Sequence, residues 1–271
     1  DAAVVCVSAV AGAEVNTEKV WESAAELGLP VILHANKMDR DRADLGRCLE
    51  SLQNTFGRQV LPVHLPIGAE KDFVGVIDLV KLKAYRFERD GSGKAKEEAI
   101  PGNLETEAAE ARTRLIEAVA EADEHLLEKF FEEGTLDAAD LEAGLKSAIL
   151  NRKLFPLTLG SSLHLVGCST LLDFLVDFAP SPAEHPYPAK AIDGRTVMLE
   201  ADAAQPVVAI VFKTLNDPFT GRLSILRVLS GTLQNDAQLW NVRAEETEKA
   251  HGLLHLQGKQ GTATPKLIAG D

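Results

Sequence analysis

Residues 36–39, with the sequence Asn-Lys-Met-Asp, carry side chains suited to reading a nucleotide base. Guanine presents an N1–H and an exocyclic amino group side by side, and the ionised carboxylate of Asp39 could accept a hydrogen bond from each. Adenine offers no such pair of donors. Asn36 is predicted to tie neighbouring loops together through its amide, and the aliphatic stem of Lys37 to lie along the purine face. The alternative, a solvated loop without function, stays open because so short a run recurs by chance.

A second candidate segment, Ser161, Ser162 and Leu163, follows a strand-like apolar run at residues 155–159. A backbone N–H of this segment could reach the oxygen of the same base if the two segments lie side by side. Taken alone, a Gly-Ser-Ser sequence is usually only a turn. The functional interpretation therefore depends on the elements that carry both segments.

The elements around residues 36–39 are predicted to be a strand, a helix and a second strand. Apolar strands are expected at residues 2–7 and 31–33, and the apolar residues between them keep helical spacing after a cap at Asn16 or Thr17. A strand-helix-strand unit of about thirty residues makes its two strands parallel. Ligands of parallel sheets bind beyond the carboxyl ends of the strands, which is where residues 36–39 are expected.

The periodicity changes from about residue 60. Short strands joined by a hairpin turn at residues 90–93 predict an antiparallel insertion. One long acidic helix, with an apolar stripe from Leu115 to Phe130, and a shorter helix are expected after it. Residues 155–159 then return to the strand-helix order. The predicted fold class is α/β, with a parallel sheet interrupted by an α+β insertion.

The C-terminal third is predicted to be a separate domain. Five prolines between residues 180 and 206 indicate a stiff linker, and the short strands that follow, separated by Gly, Asn, Asp and Pro turns, are typical of a small antiparallel β-barrel. The predicted boundaries are 1–60 and 154–182 for the α/β domain, 61–153 for its insertion, 183–205 for the linker and 206–271 for an incomplete barrel.

Composition limits the class of protein. With 45% hydrophobic and 25% charged residues, the 271-residue chain has ordinary globular proportions, and no apolar stretch approaches the ~20 residues that span a bilayer. The net charge of −13 repels a phosphate backbone at long range, so any nucleic-acid contact requires a local basic surface.

Three widely spaced cysteines fit neither a disulfide framework nor a metal site, and the cytoplasm is the expected compartment. The chain begins and ends within strand patterns, as expected of a fragment.

The sequence has no phosphate-binding loop of the form Gly-x-x-x-x-Gly-Lys-Ser/Thr. Residues 91–94, Gly-Ser-Gly-Lys, lack the upstream glycine, are followed by Ala95 and are interpreted as the tip of the predicted hairpin. His251 and His255 are four residues apart, but Gly252 argues against a helical metal face. The sequence of this chain therefore predicts neither catalytic residues nor a metal site.

Several motifs in a fixed order resemble the elongation factor G family of translational GTPases. They include Ala-Asn-Lys-Met-Asp-Arg at 35–40, Ile-Gly-Ala-Glu at 67–70, Phe-Val-Gly-Val-Ile-Asp-Leu at 73–79 and Asp-Pro-Phe-Thr-Gly at 217–221. The resemblance covers essentially the whole chain. It implies the C-terminal half of a P-loop GTPase-type parallel sheet with an α+β insertion, followed by a small antiparallel β-barrel.

The same resemblance implies a function. The cofactor would be GTP or GDP, and the residues that match the family's base-binding positions are Asn36, Lys37, Asp39, Ser161, Ser162 and Leu163. The full-length protein is expected to be a GTPase of the elongation or translocation step, with its P-loop and Mg²⁺ ligands outside this chain. The ribosome, through ribosomal RNA and stalk proteins, is the expected partner, no membrane is involved, and a monomer is the default. This chain alone is expected to be inactive.

Two segments depart from the family pattern. Residues 160–167 read Gly-Ser-Ser-Leu-His-Leu-Val-Gly where the family usually has Gly-Ser-Ala-Phe-Lys-Asn-Lys-Gly, and residues 254–260 differ as well. These departures resemble the diverged elongation-factor-G-like paralogues. The alternative function is therefore a non-catalytic ribosome-associated or regulatory protein that no longer turns over GTP. Lys213, Arg222 and Arg227 are the candidates for RNA contact in the barrel.

Overall fold

A computed structural model describes residues 1–191, 193–217, 221–258 and 260–271. The chain divides into two compact units, Asp1–Ala179 and Pro180–Asp271. The helices and strands of the first unit are β1 (Ala3–Ser8), α1 (Val15–Glu26), β2 (Val31–Asn36), α2 (Leu45–Phe56), β3 (Val60–Pro62), β4 (His64–Ile67), β5 (Gly75–Asp78), β6 (Lys83–Phe87), β7 (Ala95–Glu98), α3 (Glu105–Glu121), α4 (Glu124–Glu133), α5 (Ala138–Leu150), β8 (Phe155–Leu159) and α6 (Cys168–Phe178).

The first unit contains a parallel sheet with the strand order β1-β2-β8-β3. Cys6 lies opposite His34, and Leu33 lies opposite Leu157. β8 enters the sheet between β2 and β3, although it comes more than a hundred residues after β2 in the chain. The predicted strand-helix-strand unit and the parallel sheet are confirmed, and β2 and β8 end side by side.

Buried apolar residues cover both faces of this sheet. The neighbouring β2 residues Ile32 and Leu33 point to opposite faces and belong to different core clusters. Leu33 packs in the cluster that includes Leu52 of α2, whereas Ile32 packs in the cluster that includes Leu115 of α3. The continuous apolar run of β2 therefore reflects a strand that is buried on both sides.

The first turn of α1 differs from the prediction of a cap at Asn16 or Thr17. The N-cap is Glu14, and Thr17 lies at the third helical position, where its hydroxyl accepts a hydrogen bond from the Glu14 N–H at 3.2 Å. Thr17 still stabilises the start of the helix, but it does so from within the first turn.

The insertion consists of the antiparallel sheet β4-β5-β6-β7 and of helices α3, α4 and α5. The hairpin predicted at residues 90–93 joins β6 to β7. The prediction of one long acidic helix is wrong, because the helix breaks between Glu121 and Glu124. Asp123 is the N-cap of α4, and its carboxylate accepts N–H groups of His125 and Leu126. A cap of this kind starts a new helix without interrupting the spacing of the apolar stripe.

The second unit is built from antiparallel ladders, as expected for the domain predicted to be a barrel. Its strands are β9 (Tyr187–Lys190), β10 (Thr196–Leu199), β11 (Val208–Asp217), β12 (Gly221–Ser230), β13 (Thr232–Gln234), β14 (Gln238–Asn241), β15 (Glu246–Lys249), β16 (Leu254–Gln257), β17 (Gln260–Ala263) and β18 (Lys266–Ile268). The pairs among the described residues are β9–β10, β11–β12, β13–β18, β14–β15 and β16–β17. The β9–β10 ladder lies within the predicted linker. Pro218, Phe219 and Thr220 of the segment 217–221, and Lys259, lie outside the described residues.

The three basic residues predicted to contact RNA do not share one face of the β11–β12 ladder. Lys213 lies opposite Ile225, whereas Arg222 lies opposite Asn216. Because side chains alternate along a strand, Lys213 and Arg227 share a face and Arg222 lies on the other. Within the described part of the chain, no helix is long and apolar enough to cross a membrane.

Candidate base-recognition site

Two loops meet at the carboxyl ends of β2 and β8. The base loop, residues 36–44, continues from β2, and the partner loop, residues 160–167, continues from β8. Backbone hydrogen bonds join them at their roots: the Gly160 N–H donates to the Ala35 carbonyl at 2.9 Å, and the Met38 N–H donates to the Gly160 carbonyl at 3.2 Å. The sheet order thus brings the two candidate segments side by side. The role predicted for residues 161–163 depends on this arrangement.

Asn36 connects the two loops through its side chain. Its Oδ1 accepts the Lys37 N–H at 2.7 Å and the Ser162 N–H at 3.0 Å. One amide oxygen therefore fixes the turn that follows β2 and holds the partner loop against it. This is the bridging geometry that the sequence predicts for Asn36.

Asp39 presents a carboxylate that is 6% exposed. Its Oδ2 lies 3.9 Å from Nε of Arg40, which is an ion-pair distance, and 3.8 Å from Nε2 of His164. Both distances are longer than a hydrogen bond. Among the described residues, no hydrogen bond to this carboxylate is found. Because an ionised carboxylate in a sheltered position is costly without donors, Asp39 is suited to a ligand that supplies two of them.

Lys37 and Met38 anchor the turn between Asn36 and Asp39. Lys37 is exposed and has a φ of +67°, in the left-handed region, whereas Met38 is 2% exposed and belongs to the core cluster of α2. The buried methionine holds the loop to the protein while the lysine stem remains available at the surface. Both features agree with Lys37 covering one face of a bound base.

The two serines of the partner loop use their N–H groups within the protein. Ser161 is fully buried and donates its N–H to the Val166 carbonyl at 2.8 Å, and the Ser162 N–H is taken by Asn36. Leu163 is 66% exposed, and its N–H has no partner in the part of the chain that the structure describes. Of these three residues, Leu163 therefore offers the backbone donor that a base oxygen could use.

Three residues near the loops were not among the site residues predicted from the sequence. His164 approaches Asp39 only because the partner loop folds back on itself between Ser161 and Val166. His34 and Thr158 are buried on β2 and β8, directly below the loops, and form a hydrogen bond across the two strands. Burial and, to a lesser extent, the charge of His64 lower the pKa of His34 to about 4.

The other candidates from the sequence lie elsewhere. Residues 91–94 form the tip of the β6–β7 hairpin, where Asp90 Oδ1 accepts the Ser92 N–H at 2.8 Å. His251 Nδ1 lies 2.7 Å from Asp236 Oδ1, and His255 is on β16. No group of three His, Cys, Asp or Glu side chains with the geometry of a metal site occurs among the residues that the structure covers.

Comparison with known proteins gives one consistent result. The family described as the elongation factor Tu GTP binding domain matches residues 1–181. Elongation factor G of Mycoplasma pneumoniae (strain ATCC 29342 / M129 / Subtype 1) is 36% identical over 273 residues, which cover 100% of this chain and 40% of that protein. A crystal structure of a Thermus thermophilus protein superposes with a TM-score of 0.80 at 32% identity, over 100% of this chain and 37% of that one.

The chain therefore spans about 40% of the length of the curated relative that it matches. The family match covers the whole first unit, including both loops of the candidate site. Together with the parallel sheet, its insertion and the antiparallel unit that follows, this match identifies the chain as a member of the translational GTPases that share the elongation factor Tu GTP binding domain, with similarity to elongation factor G along its length.

Proposed function

We propose that this chain supplies the guanine-reading part of a translation factor that binds GTP and GDP. Asp39 accepts the N1–H and the amino group of the base, Lys37 covers one face of the purine, and the Leu163 N–H donates to the base oxygen. Asn36 holds the two loops in place for this contact. The observation that carries the proposal is a sheltered Asp39 carboxylate with no hydrogen-bond donor of its own among the described residues, beside two loops joined through Asn36.

GTP hydrolysis is proposed for the full-length protein and not for these 271 residues. The sequence contains no phosphate-binding loop, and phosphates supply most of the binding determinants of a nucleotide. Purified chain incubated with GTP and Mg²⁺ is expected to release no inorganic phosphate above background. Clear turnover would contradict this assignment of the catalytic parts.

The ribosome is the proposed site of action, in the elongation step and in the cytoplasm, because the chain resembles elongation factor G over its whole length. The altered partner loop, with His164 at a position where the family usually has lysine, supports a diverged paralogue as the second candidate. GTP turnover by the full-length protein on ribosomes distinguishes a GTPase from a non-catalytic relative.

The base assignment is tested with mononucleotides, since it does not depend on a phosphate-binding loop. GMP, IMP and AMP are titrated into ¹⁵N-labelled chain while amide chemical shifts are recorded. GMP is expected to shift the amides of Lys37 and Leu163, IMP to shift them more weakly because it lacks the amino donor, and AMP not at all. Equal shifts with AMP and GMP would exclude guanine recognition.

A further inference from the structure

The insertion contacts the base loop through the single helical turn Glu70–Asp72, which follows β4. Oε1 of Glu70 accepts the backbone N–H of Arg42 at 2.7 Å. Next to it, Nζ of Lys71 lies 3.7 Å from Oδ1 of Asp41. The second of these contacts is between exposed charges and is weak, but the first fixes a backbone atom of the base loop.

The insertion also reaches the partner loop through the tip of the β6–β7 hairpin. A Cβ placed on Gly93 would lie 3.2 Å from the Cβ of Leu165, so the hairpin backbone is packed directly against this residue. The insertion therefore touches both loops of the candidate site, at Arg42 on one and at Leu165 on the other.

Left-handed backbone conformations occur in and beside the two loops, as they also do at Leu82, Arg152, Asp236 and Glu245 elsewhere in the described part of the chain. Lys37, Arg42, Glu70 and Leu165 have φ values of +67°, +67°, +51° and +55°, and all four lie in the loops or in the segment that holds them. L-residues with a side chain adopt this region at a cost, and they stay there only where surrounding contacts hold them. The hydrogen bond from Arg42 to Glu70 is such a contact.

From this arrangement we infer that the insertion positions both loops of the base site and that Glu70 is a positioning residue for guanine recognition. The inference rests on the proposed function of that site. Through the Arg42 N–H, Glu70 sets the course of the base loop after Asp39, and the hairpin tip limits the movement of the partner loop. A partner that displaces the insertion would then lower the affinity for guanine without touching the nucleotide.

The test compares Glu70→Ala with Glu70→Gln, because glutamine keeps an oxygen that can accept the Arg42 N–H. Asp72→Ala is the matched control, since it removes an exposed carboxylate from the same helical turn. Two quantities are measured in the 271-residue chain: amide hydrogen exchange at Arg42 and Ser162, and the ratio of GMP to IMP affinity from chemical-shift titrations. The ratio reports on the fit to the base, and a general loss of stability does not change it.

Glu70→Ala is expected to speed exchange at Arg42 and at Ser162 and to lower the ratio of GMP to IMP affinity at least threefold. Glu70→Gln is expected to restore most of both quantities, and Asp72→Ala to match the wild type. Unchanged exchange at Ser162 in Glu70→Ala, or equal losses in the alanine and glutamine variants, would overturn the inference.

A second variant keeps the test decisive if Glu70→Ala does not fold. Leu165→Ala weakens the hairpin contact by removing Cδ1, which would lie 3.6 Å from a Cβ placed on Gly93. It is expected to speed exchange at Ser162, and wild-type exchange at that amide would count against the inference. Absence of any GMP-induced shift in the wild-type chain would contradict the proposed function instead. The exchange measurements would still decide whether the insertion holds the loops.

Discussion

Nδ1 of His34 lies 2.9 Å from Oγ1 of Thr158, across the boundary between β2 and β8. The Thr158 hydroxyl donates to the Leu33 carbonyl at 3.1 Å, so it accepts a hydrogen bond from His34 rather than donating one. This network assigns the proton of neutral His34 to Nδ1. The histidine therefore serves as a donor that joins the two strands two residues below Asn36.

The first prediction concerns acid sensitivity. His34 has a folded pKa of about 4, and burial also lowers the pKa of His64, whereas an unfolded histidine titrates near 6.5. Below about pH 6.5 the unfolded chain thus binds more protons than the folded chain. The stabilising contribution of the neutral histidines is therefore complete above that pH and is lost as the pH drops towards about 4. For His34 alone the loss by about pH 4 is on the order of 3 kcal/mol.

Urea unfolding at about pH 7 and about pH 5 measures this dependence. His34→Gln is expected to reduce the difference in the free energy of unfolding between the two pH values. The remaining difference comes in part from His64. His125→Gln, at an exposed histidine, should leave it unchanged. The same pH dependence in His34→Gln and the wild type would show that His34 is protonated in the folded protein at higher pH.

The second prediction concerns the bridge made by Asn36. Asn36→Ala removes the oxygen that accepts the Lys37 and Ser162 N–H groups. Removing each hydrogen bond costs about 1 kcal/mol, so the partner loop should separate from the base loop more often. Hydrogen exchange at the Ser162 amide is expected to rise and GMP affinity to fall. Asn16→Ala, at an exposed position of α1, is the control and should change neither quantity.

The third prediction concerns base selectivity. Asp39→Asn should weaken guanine binding and favour xanthine, because xanthine has a carbonyl where guanine has its amino group and an amide can donate to it. Losing the charge-assisted pair should cost on the order of 1.5 to 3 kcal/mol. Titration with GMP and with XMP measures whether the variant binds XMP more tightly than GMP. Asp41→Asn, a nearby exposed carboxylate, should retain the wild-type order, and unchanged GMP affinity in Asp39→Asn would remove Asp39 from the site.

The fourth prediction concerns the end of the partner loop. Gly167 has a φ of +78°, and an added Cβ would lie 2.4 Å from the Leu159 carbonyl oxygen. Gly28 has a similar φ of +66° but open space around it. Gly28→Ala should therefore cost only the conformational strain, about 1 to 2 kcal/mol. Gly167→Ala adds a clash with backbone and should cost about 1 to 3 kcal/mol more. Thermal unfolding of the two variants measures the difference, and equal losses would contradict the clash.

The fifth prediction concerns RNA contact by the second unit. Lys213 and Arg222 lie on opposite faces of the β11–β12 ladder, so a single RNA surface can meet only one of them directly. We expect one of the variants Lys213→Glu and Arg222→Glu to lower ribosome association of the full-length protein. In that variant the slope of log affinity against log salt concentration should become shallower by about 0.7 to 0.9 for each phosphate that is no longer neutralised. The other variant serves as its control. Co-sedimentation equal to wild type for both would remove these two residues from the RNA interface.

The sequence was sufficient for the elements whose signals are local. The apolar run of β2, the hairpin at residues 90–93 and the helix stripes all follow from periodicity or turn chemistry. The break at Asp123 is hidden in the pattern because the stripe keeps its spacing through the cap. Contacts between distant segments could not be read at all: His164 meets Asp39 and Glu70 meets Arg42 only after the sheet and the insertion have assembled.

The position of β8 between β2 and β3 has a consequence for how the protein folds. Asn36 and Ser162 are 126 residues apart in the chain, and their hydrogen bond closes a loop of that length. Closing so long a loop is entropically unfavourable unless the intervening segment is already compact. We therefore expect the insertion to collapse first and to shorten the effective distance between β2 and β8. The docking of β8 would then complete the sheet, and the base site would be among the last parts of the protein to form.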